Sequence, residues 1–177
     1  MQLLRMLAAA AVLVAAITSS AVAADFSGAG ATFPYPIYAK WAEAYKKQTG
    51  ITVHYQSVGS GEGIRQIQNK EVTFGAAAAN ANWAGTPGFG VIITNEPGAA
   101  SWPIAGATFI LVHKQPSDPA AAAAALKFFN WAYAKGGKMA EELDYVPMPG
   151  NVVSAVQRLW AAQVKDASGK PLFVLPK

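Results

Sequence analysis

Two glycine-rich segments hold the residues best suited to chemistry. Ser27-Gly28-Ala29-Gly30-Ala31-Thr32-Phe33-Pro34 runs into a helix-forming stretch, and Gly59-Ser60-Gly61-Glu62-Gly63 lies between a strand-like stretch and a second helix. At the start of a helix the first backbone N–H groups lack intrahelical partners, and the helix dipole favours negative charge there. Small residues let an anion approach the backbone, and each segment adds one hydroxyl, Thr32 and Ser60. Neither is a G-x-G-x-x-G fingerprint, and taken singly each is more simply read as a capped turn. Brought together, they would form a neutral, donor-rich pocket that binds an anion through dipoles rather than through lysine or arginine.

Catalytic constellations are poorly supported. Ser60 lacks the nucleophile-elbow pattern. His54 and His113 each fall in or at the end of a strand-like stretch and read as strand-face residues. Glu141 and Glu142 are adjacent on a helix, so they point apart and read as a solvated face. The absence of cysteine excludes disulfides and every thiolate metal or redox site. Two histidines without a carboxylate pattern give no metal site either. These residues alone give no credible catalytic or metal site.

These loops must be held by regular elements. Ile37, Trp41, Ala44 and Tyr45 recur at helical spacing, which predicts a helix over Pro36–Thr49 that stops at Gly50. Ile51–Ser57 alternates as a strand, a short helix using Ile64 and Ile67 runs to Asn69, and Val72–Gly75 is a second short strand. Strand, glycine loop, helix, strand is the order of a parallel α/β arrangement. Further along, Gly85–Gly90 reads as a turn, Val91–Thr94 as strand-like, and Asn95–Ala100 as a break. Ala107–Lys114 reads as a buried strand. Asp118 caps a helix over Pro119–Lys135 whose inner face is Phe128, Phe129, Trp131 and Ala132. Shorter helices are expected over Lys138–Leu143 and Val152–Val164, then a turn at Asp166–Gly169 and an apolar tail, Leu172–Leu175.

With 177 residues, 53% of them hydrophobic and 14% charged, the chain suits one folded domain and argues against disorder. A net charge of +4, spread thinly, gives no basic tract of the kind nucleic acid requires, so no nucleic-acid partner is expected. Arg5, the apolar run Leu7–Ile17 and the small residues Thr18–Ala24 predict a cleaved secretory signal over residues 1–24. That run is shorter than the roughly twenty residues that span a bilayer. An exported protein is expected.

SGAGATFPYPIYAKWAEAYKKQTG (Ser27–Gly50) followed by VHYQSVGSGEGIRQI (Val53–Ile67) resembles the start of the phosphate-binding proteins of Pst-type ABC transporters, a periplasmic-binding-protein family. SWPIAGATFILVHK (Ser101–Lys114), LKFFNWAYAKG (Leu126–Gly136), LDYVPMP (Leu143–Pro149) and KDASGKPL (Lys165–Leu172) resemble its C-terminal part. The resemblance implies a two-lobed α/β protein of the periplasm that binds inorganic phosphate and delivers it to the membrane subunits of the importer, with no catalytic residue and no cofactor. It implies phosphate contacts from Ala31 and Phe33 through backbone N–H, from Thr32 and from Ser60. The family's Ser-Asp after its Phe-Gly-Ala, whose Asp accepts the proton of hydrogen phosphate, corresponds here to Ala77 and Ala78. A large central block of the family pattern, with the Arg and Ser-Gly-Thr of the opposite lobe, has no counterpart.

The expectation is therefore one mainly parallel periplasmic-binding-protein-like lobe with flanking helices, the second lobe missing. It would span 25–177, with 25–76 and 80–177 matching the two ends of the family, and would hold half a phosphate site. The alternative is a lobe that binds no ligand and acts as an interaction module.

Overall fold

The computed structural model describes residues 24–79 and 107–175; the expected signal segment and the turns and strand expected between 85 and 100 lie outside the described residues. Its first strand, β1 (Phe26–Gly30), occupies the first half of the glycine-rich segment that reads in the sequence as loop. Among the described residues it is an inner strand of a four-stranded sheet. Parallel β2 (Val53–Ser57) pairs on one side, with Phe26 opposite Val53 and Gly30 opposite Ser57, and parallel β3 (Phe74–Ala79) on the other, with Gly28 opposite Phe74. β4 (Ala107–Leu111) closes the order β2-β1-β3-β4 and runs antiparallel to β3, with Ala79 opposite Ala107. The lobe is thus α/β as expected, with an antiparallel edge on a parallel sheet.

The composition of β1 follows from its position. Helices cover both faces of a central strand, so side chains must be apolar or absent. Phe26 faces an aromatic core with Tyr38, Tyr45, Phe74, Phe128 and Phe129, while Ala29 faces the other way onto Ile67 and Val72. Gly28 is where a side chain is impossible: a β-carbon there would stand 2.1 Å from the Phe74 ring. Its absence lets Tyr55 and Phe74, its neighbours on the two flanking strands, stack with ring centroids 6.0 Å apart.

The crossover helices are α1 (Tyr35–Thr49) and α2 (Ser60–Gln68). Proline in the first turn starts α1, and Gly50, in the left-handed conformation, ends it, as the spacing predicts. In α2, Ile67 is buried but Ile64 is exposed, contrary to expectation. The inward row is Gly63 and Ile67, one turn apart, because α2 rests on β1 through Gly63. Ala107–Leu111 also differs from the buried strand expected over Ala107–Lys114: it is shorter and only half-buried beyond Ala107, because it forms the fourth position of the sheet.

α3 (Pro119–Lys135) begins where the sequence places it, with the Asp118 carboxylate accepting from the N–H groups of Ala120 and Ala121 at 3.0 Å. Phe128, Phe129 and Ala132 are buried, whereas Trp131 is partly exposed and donates to Gln48 Oε1 at 2.6 Å. α4 (Gly137–Glu141) and α5 (Gly150–Gln163) follow. The turn at Asp166 returns the tail so that Phe173 is buried, its ring edge-on to Trp160 at 5.3 Å. Among the described residues no helix is long and apolar enough to cross a membrane.

Candidate functional site

In an open parallel sheet, ligands bind beyond the carboxyl ends of the strands, where neighbouring connections leave in opposite directions. Here that place is the end of β1, between the crossovers through α1 and α2. The connection from β1 to α1 is Ala31–Pro34, and that from β2 to α2 is Val58–Gly59. The two sequence-predicted loops therefore share one edge of the sheet.

One atom ties them together. The Gly30 carbonyl accepts from the N–H groups of both Val58, at 3.0 Å, and Gly59, at 2.8 Å. Gly59 then adopts φ 90, ψ 154, a conformation that side-chain-bearing residues avoid, and turns the chain into α2. Gly63 completes the junction: a β-carbon on it would lie 2.4 Å from the Gly30 Cα and 2.7 Å from the Ala29 carbonyl oxygen. Neither α1 nor α2 is capped by the side chain of its N-cap residue, unlike α3.

The loop's carbonyls are all engaged. Beyond Gly30, the Ala31 carbonyl accepts from the Tyr55 hydroxyl at 2.7 Å, the Thr32 carbonyl from the Tyr35 N–H at 3.2 Å, and the Phe33 carbonyl from the Tyr145 hydroxyl. Four consecutive acceptors are thus satisfied within the protein. In a trans peptide the N–H points opposite to the C=O, so the Thr32 and Phe33 N–H groups face away from these partners. The result is a loop whose acceptors are occupied and whose Thr32 and Phe33 N–H groups face away from those partners, which suits a ligand that accepts hydrogen bonds.

The expected contact residues are placed unequally. Thr32 and Phe33 are exposed on the loop, Phe33 at 56%, and Ser60 is half-buried in the first turn of α2. Ala31 departs from the expectation. It is buried, and its N–H donates to the Ala76 carbonyl at 2.8 Å, continuing the β1–β3 ladder rather than facing outward.

Among the described residues, α2 brings a carboxylate to this edge, Glu62 in its first turn. Hydrogen bonds from Arg65, at 2.6 and 2.8 Å, and from Gln66 pull its pKa down to about 2. Arg65 also reaches Glu71 at 3.0 Å, so this cation is engaged by two carboxylates. The histidines lie elsewhere. His54 is exposed near the start of β2, and His113 follows β4 and bonds to the Ile67 carbonyl at 2.6 Å. No group of His, Cys, Asp and Glu among the described residues could hold a metal ion.

Tyr55 and Tyr145 are the site residues that pattern reading misses. Tyr55 reads as one more strand-face aromatic, and Tyr145 comes from the other end of the chain. Burial pushes the Tyr55 hydroxyl up to about 12, so it stays a donor further into the alkaline range than an exposed tyrosine.

An α/β lobe that gathers two glycine loops at one edge of its sheet has the architecture of a binding-protein domain. The PBP superfamily domain matches residues 15–140, and the chain belongs to that superfamily. Within it, the chain is 46% identical over 107 residues to the phosphate-binding protein PstS of Pasteurella multocida (strain Pm70), covering 60% of this chain and 31% of the relative. It is 38% identical over 128 residues to the phosphate-binding protein PstS of Xylella fastidiosa (strain 9a5c), covering 72% and 34%. It is 44% identical over 100 residues to the phosphate-binding protein PstS of Haemophilus influenzae (strain ATCC 51907 / DSM 11121 / KW20 / Rd), covering 56% and 30%. The chain spans about a third of the length of the curated relatives it matches.

Proposed function

We propose that this chain is an exported solute-binding lobe that takes inorganic phosphate at the edge formed by the two glycine loops. It would work in the periplasm with the membrane subunits of a Pst-type ABC importer. The observation that carries the reading is the loop Gly30–Phe33, whose four carbonyls are all satisfied internally. Thr32, through its N–H and hydroxyl, the Phe33 N–H and Ser60 are the proposed contacts. Ala31 serves as the buried anchor that ties the loop to β3. The similarity to proteins named for phosphate binding supports phosphate over other anions.

The proposed lobe spans 25–177, with 1–24 as its signal, and joins two parts, 25–76 and 80–177, similar to the ends of longer relatives. Its site is half of a clamp. The family's Ser-Asp pair, whose carboxylate would accept the proton of hydrogen phosphate, corresponds to Ala77 and Ala78 in this sequence. In such an open site each hydrogen bond competes with water and is worth less than in an enclosed cleft. The lobe binds and does not turn over its ligand: neither histidine stands at the edge that holds Ser60.

Calorimetric titration of the purified chain tests this. Phosphate should bind weakly, with sulfate competing at similar concentration. Tight binding that excludes sulfate would overturn the half-site, and absence of phosphate binding would overturn the function.

A second reading, a lobe that docks without ligand, is favoured by one feature: Phe33, Tyr35 and Val58 are exposed apolar residues on and beside the loops. Capture of the importer's membrane subunits by the chain to the same extent with and without phosphate would support it.

A further inference from the structure

Of the four engaged carbonyls in the loop, two are held by hydroxyls of side chains rather than by backbone. We propose that Tyr55 and Tyr145 are positioning residues of the anion site. Their hydroxyls occupy the carbonyls on either side of Thr32 and leave the loop presenting donors. The inference rests on the phosphate reading above.

The peptide between Ala31 and Thr32 is the key element. Its carbonyl receives the Tyr55 hydroxyl at 2.7 Å, so its N–H, which belongs to Thr32, is directed the opposite way. The Tyr55 side chain is itself immobilised. Its ring meets that of Tyr38 edge-on at 4.9 Å and stacks on those of Phe74 at 6.0 Å and Tyr35 at 6.5 Å. A ring held on three sides is a fixed donor, and a fixed donor fixes the peptide plane.

Tyr145 acts one residue further on. The Phe33 carbonyl belongs to a peptide whose nitrogen is that of Pro34, so this peptide has an acceptor and no donor. Turned outward, it would set partial negative charge beside an anion. Tyr145 occupies it instead, at the surface, with its ring edge-on to Phe33 at 5.4 Å. Its own placement is built. Asp144, with φ 60, turns the chain out of α4, the Tyr145 N–H donates to the Ala140 carbonyl at 3.0 Å, and the Lys40–Glu142 ion pair joins this segment to α1.

Tyr55→Phe and Tyr145→Phe remove each hydroxyl and keep each ring. In the ligand-free protein the carbonyl 13C resonance of Ala31 should move in Tyr55→Phe, together with the Thr32 amide. That of Phe33 should move in Tyr145→Phe. Titration with inorganic phosphate should show the Kd raised about five- to tenfold in each variant. Tyr133→Phe, which removes a buried hydroxyl that has no bond to the loop, should leave the Kd unchanged and controls for general loosening. If the carbonyl resonances move but both variants keep the wild-type Kd, the hydroxyls satisfy the backbone without positioning the site. That result, or resonances that do not move, overturns the inference. A wild-type chain that takes up no phosphate overturns the functional reading as well, so the two failures are distinguishable.

Discussion

Gly63, in the first turn of α2, lies directly against Gly30, the last residue of β1: a β-carbon on the first would stand 2.4 Å from the Cα of the second. This contact brings the two glycine loops together at one edge. The neighbouring atoms are backbone, so they cannot rotate away as a side chain would. Gly63→Ala should therefore lift α2 from β1, cost about 1–3 kcal/mol in urea unfolding, and weaken phosphate binding. An alanine variant with wild-type midpoint and Kd would show that the loops do not need this approach.

Glu62 is a negative charge at an edge otherwise furnished with donors. Glu62→Gln removes it and should raise affinity for phosphate roughly two- to fivefold at low salt. The gain should shrink in 0.5 M salt, since the carboxylate is solvent-exposed and screening acts on it. Calorimetry at two ionic strengths checks both parts, and an affinity lowered by the substitution would contradict the expected direction.

Alkaline pH should unfold the lobe earlier than its acid–base composition alone implies. Burial raises the pKa of Tyr38 well above the ordinary tyrosine value and pushes Tyr55 and Tyr133 to about 12. Unfolded tyrosines ionise near 10, so between pH 10 and 12 the unfolded chain loses protons that the native chain keeps. Stability from this source is complete below pH 10 and is lost as pH rises through 12. Urea midpoints at pH 8, 10 and 11 should fall in that order, and less steeply in Tyr133→Phe; a flat series would refute the assignment.

Asp118 offers a contrast, because it caps a helix at the opposite edge of the sheet. Its carboxylate satisfies two first-turn N–H groups of α3. Asp118→Ala should cost about 1 kcal/mol, read as a lower Tm, while phosphate titration stays unchanged. A raised Kd would mean that the two edges are coupled.

Much of the helical architecture is legible without coordinates. Asp118-Pro119, Pro36 and Gly50 act on their own chain neighbours, so their effects show as local pattern, and the ends of α1 and α3 fall at or within a residue of where those residues place them. β1 is not legible. FSGAG has low intrinsic strand preference and reads as loop, because what makes it a strand is being enclosed between β2, β3 and helices on both faces. Ile64 and Ala107–Leu111 mislead for the same reason: whether an apolar residue is buried depends on which neighbour covers it.

The sequence by itself determined the type of chemistry: two glycine loops with one hydroxyl each, opening helices, with no catalytic or metal-binding pattern. Those are properties of residue type and local spacing. The tertiary structure alone decided that the loops meet, that the Ala31 N–H is taken by Ala76, and that tyrosines 24 and 112 residues distant in sequence from the carbonyls they bind hold the loop. A hydrogen bond between residues so far apart depends on strand order and register. No local pattern in a single chain encodes these directly.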